Sequence, residues 1–151
     1  MSFQESKIGI GIIGTGFGQS IHLPAFQIHP ETEVVAVYHR DRLKAEQIAQ
    51  KHNIPYASDR LEDILALPTI QGVAISTPPK FHYAQCRAAI AAGKHILLEK
   101  PVTMNVQEAI DLWQMSQTHQ VITATDFEFR HVPHWQYLKH LLDQQQIGKK
   151  R

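Results

Sequence analysis

The sequence has little that would take it out of a reducing, aqueous compartment. One cysteine, Cys86, stands among 151 residues, so no internal disulfide can form. No apolar run approaches the roughly 20 residues that a membrane-spanning helix needs. The first residues lack the charged-then-apolar pattern of a secretory signal, and a cytoplasmic, non-membrane protein is expected. Charge of one sign is missing too: fifteen Lys and Arg are scattered among fourteen Asp and Glu, for a formal net charge of +1. With no basic stripe to exploit counterion release, no nucleic-acid partner is expected. Internal repeats, low-complexity tracts and flexible linkers are absent. Ten histidines are present, and His131 and His134 stand three apart. No cysteine or carboxylate cluster in the sequence completes a ligand set for them, so no metal is expected.

What is there is a core. At 43% hydrophobic and 19% charged, the composition is that of one globular domain. Short β-rich runs alternate with segments of helical length. "KIGIGII" (7–13) and "EVVAVY" (33–38) read as strands, and "DRLKAEQIAQKH" (41–52) as a helix that ends before Pro55. Asp59 with Glu62 predicts a capped short helix to Leu67, after which "GVAIS" (72–76) is a strand. "FHYAQCRAAIAAG" (81–93) is a helix closed by Gly93, "HILLE" (95–99) a strand, and "NVQEAIDLWQMSQTHQ" (105–120) a helix opened by Asn105 and Glu108. "VITATD" (121–126) supplies a last strand and "PHWQYLKHLLDQQQIG" (133–148) an amphipathic helix. Cys86, Trp113, Met115 and Trp135 are expected to pack in the core or at an interface.

Strands this apolar must be covered on both faces. That predicts an α/β fold, an open, mostly parallel, doubly wound sheet with right-handed crossovers and helices on both faces. In such a sheet the ligand crevice lies beyond the carboxyl ends of the strands. The turn after Ile13, the residues after Tyr38, the loop after Ser76 and the Glu-Lys-Pro after Leu98 are therefore expected to converge.

Each of these four stretches has its own chemistry. "GTGFG" (14–18) is a tight strand-to-helix turn in which Gly14 and Gly16 let backbone approach a pyrophosphate, with Thr15 and Phe17 between the glycines. The third glycine of G-x-G-x-x-G would fall at Gln19, whereas Gly18 comes one residue early; G-x-G-x-G also occurs in methyltransferase-type folds, so the glycines alone do not name the ligand. After Tyr38 come His39 and Arg40, where NAD sites often carry an acid. A cationic fork there favours the 2′-phosphate of NADP over NAD. Asp41 is better placed as the N-cap of the next helix, although a one-residue shift would turn it toward a ribose and NAD. In "STPPKFH" (76–82) Ser76 and Thr77 offer hydroxyls, Pro78 and Pro79 fix the backbone, and His82 enters the next helix. Glu99 and Lys100 end an apolar strand, where charges need partners or a ligand, and Lys100 can protonate or hydrogen-bond the oxygen of a reacting alcohol or carbonyl.

Taken together, the glycine turn followed by "HLPAF", "STPPKFH", "AAGKHILLEKPVT" and "FRHVPHWQYLKHLLDQQQIG" resemble the glucose-fructose oxidoreductase / inositol dehydrogenase (Gfo/Idh/MocA) family, over essentially the whole chain. The resemblance implies a Rossmann-type NAD(P)-binding domain over residues 1–130. It implies that residues 131–151 lead toward a substrate-binding β-sheet domain beyond this chain, which makes the chain a piece of a longer enzyme, inactive alone. Gly14 and Gly16 would hold the pyrophosphate, residues 76 to 78 and Glu99 would flank the nicotinamide half, and Lys100 would assist the substrate oxygen. The implied activity is hydride transfer between NADP, or NAD, and a sugar, polyol or related carbonyl compound, in a protein that can form homo-oligomers. The alternative is a non-catalytic nucleotide-sensing or scaffold protein of the same fold.

Overall fold

A computed structural model describes residues 7–148. Six strands form one sheet: β1 (Ile8–Ile13), β2 (Thr32–Tyr38), β3 (Tyr56–Ser58), β4 (Gly72–Ile75), β5 (His95–Glu99) and β6 (Thr123–Asp126). Their order is β3-β2-β1-β4-β5-β6, and every neighbouring pair is parallel. The chain leaves β1 toward β2 on one side and returns to β4 on the other, so the switch point of the sheet lies between β1 and β4. The sheet is wholly parallel, and it contains a three-residue strand, β3, too short for a sequence pattern to announce.

The alternation of side chains along each strand feeds two cores. Ile10, Ile12, Val34, Val37 and Ala74 cluster with Leu23 of α1 (Leu23–Ile28) and Ile48 and Ala49 of α2 (Arg42–His52). Ile13, Ala36, Val73, Ile75, Ile96 and Leu98 cluster with Ile64 of α3 (Leu61–Leu65), Cys86, Ala89 and Ile90 of α4 (His82–Ala91), and Leu112 of α5 (Val106–His119). Each fully buried isoleucine among them contributes about 1.5–3 kcal/mol through burial, which is why β1 carries five buried residues in a row and no polar face.

Local chemistry sets the helix ends. Asp41 caps α2, its carboxylate accepting from the N–H groups of Leu43 (3.1 Å) and Lys44 (3.4 Å). Asn105 caps α5 by accepting from the Glu108 N–H at 3.0 Å, and Glu108 reaches back to the Met104 N–H. At α3 the expected Asp59 cap is not used. Its N-cap, Arg60, has no side-chain cap; the Ser58 hydroxyl accepts from the Arg60 N–H at 3.0 Å and donates to Asp63 at 2.8 Å, which steadies the approach to the helix.

The last helix, α6 (Pro133–Asp143), is amphipathic as expected but has no buried residue. Trp135 is 53% exposed and Trp113, on α5, 63%, so neither tryptophan is in the core, whereas Met115 does pack against it. Among the described residues no helix is long and apolar enough to cross a membrane.

Candidate functional site

The turn after β1 works by lacking side chains. Gly14 has φ +101°, and a Cβ there would lie 2.7 Å from the Ser76 carbonyl carbon and 2.8 Å from the Thr77 amide nitrogen. The ends of β1 and β4 therefore touch backbone to backbone. A Cβ on Gly16 would meet nothing within 4 Å, so this residue leaves open space that a ligand's phosphates can occupy. Gly18 plays another part. It starts a π-helical turn (Gly18–His22) that runs into α1, and a Cβ on it would sit 2.3 Å from Ser76 Oγ. Its absence of side chain lets that turn close on Ser76. The residue itself is buried and does not face the crevice. Phe17 sets its ring edge-on to His22, 5.4 Å between centroids.

A crevice of about 710 Å³ opens at the switch point. It brings together Gly14, Thr15, Gly16, His39, Arg40, Ser76, Thr77 and Pro78 of the residues singled out in the sequence. It also adds Tyr38, Lys80, Phe81 and Gln85, which sequence reasoning missed. Tyr38 could have been found as the last strand residue before His39, and Phe81 as the aromatic that follows the two prolines. Asp41 does not line the crevice, and its carboxylate is occupied as the α2 cap. His39 Nδ1 accepts from the Asp41 N–H at 2.9 Å, holding the turn. Arg40 lines the wall, and among the described residues it enters no ion pair.

His82 does not reach the crevice. It is fully buried, with Nε2 2.7 Å from the Thr77 carbonyl oxygen and Nδ1 2.8 Å from that of Pro101. The ring thereby fastens the loop after β4 to the turn after β5. Thr77 Oγ1 donates to Gln85 at 2.5 Å and steadies the same loop from α4. Lys94, in the turn before β5, donates from Nζ to the carbonyls of Leu67 (3.0 Å) and Ile70 (2.8 Å), and partial burial pulls its ammonium below the usual lysine value. On α4, burial pushes the Cys86 thiol up to about 12, which leaves it inert as a nucleophile.

Glu99 and Lys100 part company at the end of β5, joined to Pro101 through a cis peptide bond at Lys100. Glu99 is buried, and its Oε2 accepts from the Lys100 N–H at 3.2 Å. Lys100 turns outward, its side chain 52% exposed and its Nζ 3.9 Å from Glu128. It lines a second hollow of about 830 Å³ with Pro101, Val102, Phe127, Glu128, Phe129 and Arg130. Neither Glu99 nor Lys100 lines the first crevice, so the four strand-end stretches meet at one edge of the sheet but not in one cavity. The fold also makes a grouping that the sequence did not show: His22, Glu99 and Asp126 lie with ligand-type atoms within 4.8 Å of one another.

A glycine cradle at the switch point, open at Gly16 and beside the Arg40 guanidinium, fits a dinucleotide. An uncharacterized oxidoreductase of Synechocystis sp. is 46% identical over 97% of this chain and 39% of its own length. The trans-1,2-dihydrobenzene-1,2-diol dehydrogenase of Homo sapiens is 31% identical over 93% of this chain and 43% of its own length. In structure, a variant of the 3-ketoreductase KijD10 from Actinomadura kijaniata, in complex with TDP-benzene and NADP, superimposes with a TM-score of 0.90 at 26% identity, covering 97% of this chain and 45% of that one. The chain thus spans less than half the length of each of these relatives. The model of the "Oxidoreductase family, NAD-binding Rossmann fold" matches residues 8–127. This chain belongs to that family, the Gfo/Idh/MocA oxidoreductases, and constitutes their N-terminal nucleotide-binding domain.

Proposed function

We propose that the chain is the NADP-binding half of a dehydrogenase or reductase that acts on a sugar, polyol or related carbonyl compound. Arg40 carries the choice of NADP. Its guanidinium lines the crevice at the end of β2 without an ion-pair partner among the described residues, and the nearest acid in sequence, Asp41, is committed to capping α2. A planar, permanently charged fork in that position suits a 2′-phosphate, and among the described residues no carboxylate lines the crevice to bind a bare ribose. The NADP complex of the 3-ketoreductase supports the same reading, and the substrates named for that enzyme and for the diol dehydrogenase support a hydroxyl- or carbonyl-bearing substrate.

When bound, the cofactor supplies the hydride donor or acceptor. Gly14 and Gly16 hold its phosphates, and the rigid Ser76-Thr77-Pro78 wall limits where it can lie. Lys100 serves the oxygen of the substrate. In reduction its Nζ gives a proton to the carbonyl oxygen as that becomes a hydroxyl, then takes one back from solvent. In oxidation the transfer runs the other way. Residues 131–151 are assigned to the lead into a substrate-binding β-sheet domain, which the unburied apolar side chains of α6 support.

Titration of the 151-residue chain with NADPH and NADH tests this reading. NADPH is expected to bind more tightly by about tenfold or more, the worth of one charge-assisted contact. Equal affinities reject the preference for NADP, and failure of both to bind below millimolar rejects the nucleotide reading.

A further inference from the structure

Glu99 and Asp126 are direct register partners on the neighbouring parallel strands β5 and β6, so their side chains emerge on the same face of the sheet. Their side chains are only 10% and 23% exposed, and two carboxylates set side by side with so little water repel. Between them stands His22, 3% exposed, at the end of the π-helical turn. Its Nε2 lies 3.2 Å from Asp126 Oδ2 and 3.4 Å from Glu99 Oε1. Both neighbours are acceptors, so the hydrogen of the ring sits on Nε2 and donates to Asp126 while facing Glu99. Glu99 Oε1 is buried without a hydrogen-bond partner among the described residues, and Glu99 Oε2 takes the Lys100 N–H. On its other flank the imidazole meets the edge of Phe17 from the glycine turn.

We infer that His22 is a positioning residue. Through the Nε2 hydrogen bond to Asp126 it ties the turn after β1 to the end of β6 and seats its ring against Glu99, so that the nicotinamide half of the cofactor and Lys100 keep one geometry. The inference rests on the nucleotide reading above. The same three groups also have the composition of a cation site. A histidine that binds metal through Nε2 needs an acceptor for the hydrogen on Nδ1, and His22 Nδ1 is buried with no partner. The donor set thus fits a shared hydrogen rather than a cation.

The test compares affinities of the wild type, His22→Ala, His22→Gln and Asp126→Ala for NADPH and for 2′,5′-ADP, which carries only the adenosine half. His22→Ala is expected to weaken NADPH about tenfold while 2′,5′-ADP stays within about twofold. His22→Gln, which restores an N–H donor, is expected to recover most of the loss. If the His22 variants do not fold, Asp126→Ala removes the same hydrogen bond at a more exposed side chain and should give the same split. Equal losses for both ligands, or none, overturn the inference, as does stabilisation of the wild type by Zn²⁺ or Mn²⁺ that His22→Ala abolishes. Thermal unfolding needs no nucleotide and separates the two readings. If the wild type binds neither ligand the nucleotide reading fails, and the network is then judged by the double variant His22→Ala/Asp126→Ala. Its melting point should fall by less than the sum of the two single losses, whereas additive losses overturn the hydrogen bond.

Discussion

At the end of β1 the chain presents backbone and open space, while at the ends of β5 and β6 it presents side chains fastened to one another. The first region depends on what is left out: no Cβ fits at Gly14, none covers Gly16, and Arg40 stands without an ion-pair partner among the described residues. The second depends on what is put in, with His82 spanning the carbonyls of Thr77 and Pro101 and His22 spanning Asp126 and Glu99. A phosphate recognised by amides needs bare, fixed backbone. A reacting carbon must be held within a fraction of an ångström, and that calls for a supporting shell of packed, hydrogen-bonded side chains.

If the two regions are built this differently, substitutions in them should fail differently. The largest effect is expected from Gly14→Val, which combines a φ of +101° with a Cβ 2.7 Å from backbone. A loss of about 3 kcal/mol or more, with NADPH binding abolished, should be seen by urea unfolding and titration. A variant that unfolds like the wild type would show that the turn yields. His82→Ala should cost about 2–4 kcal/mol, since it opens a cavity where a fully buried ring stood and removes the N–H that bonds a loop carbonyl. A loss below about 1 kcal/mol in urea would remove the contrast between the regions. Arg40→Ala should leave unfolding unchanged and weaken NADPH about tenfold with NADH unaffected. Smallest of all, Lys100→Ala should shift stability by less than about 0.5 kcal/mol, because its pairing with Glu128 is long, at 3.9 Å, and its own side chain is 52% exposed. A larger thermal shift would mean that Lys100 holds the fold and is less free for chemistry than its position suggests.

Much of this was legible because it is local. Strands buried on both faces are apolar without a break, and helix ends advertise themselves through caps such as Asp41 and Asn105. The glycine turn and the His39-Arg40 pair declare themselves within a few residues of a strand end. His22 does not. It lies 104 residues from Asp126, and although it opens the "HLPAF" stretch after the glycine turn, nothing near it in the chain points to the carboxylates it meets. The division of the strand ends into two hollows was hidden for the same reason, since it depends on which way Lys100 turns once Glu99 is held inward. His82 was singled out for the cofactor, whereas both its nitrogens face the protein's own carbonyls.

Cys86 gives the domain its own clock. The thiol is 2% exposed and its pKa is raised to about 12, so a thiol reagent is held off both by access and by the lack of thiolate. Labelling needs the packing around α4 to open, and its rate at neutral pH therefore reports on that opening. A cofactor that stabilises the closed form should slow it. The same burial sets a limit in alkali. The folded value lies above the ordinary 9.0, so the closed fold keeps a proton that the open chain releases, and stability drains away as the pH climbs from about 9 toward 12.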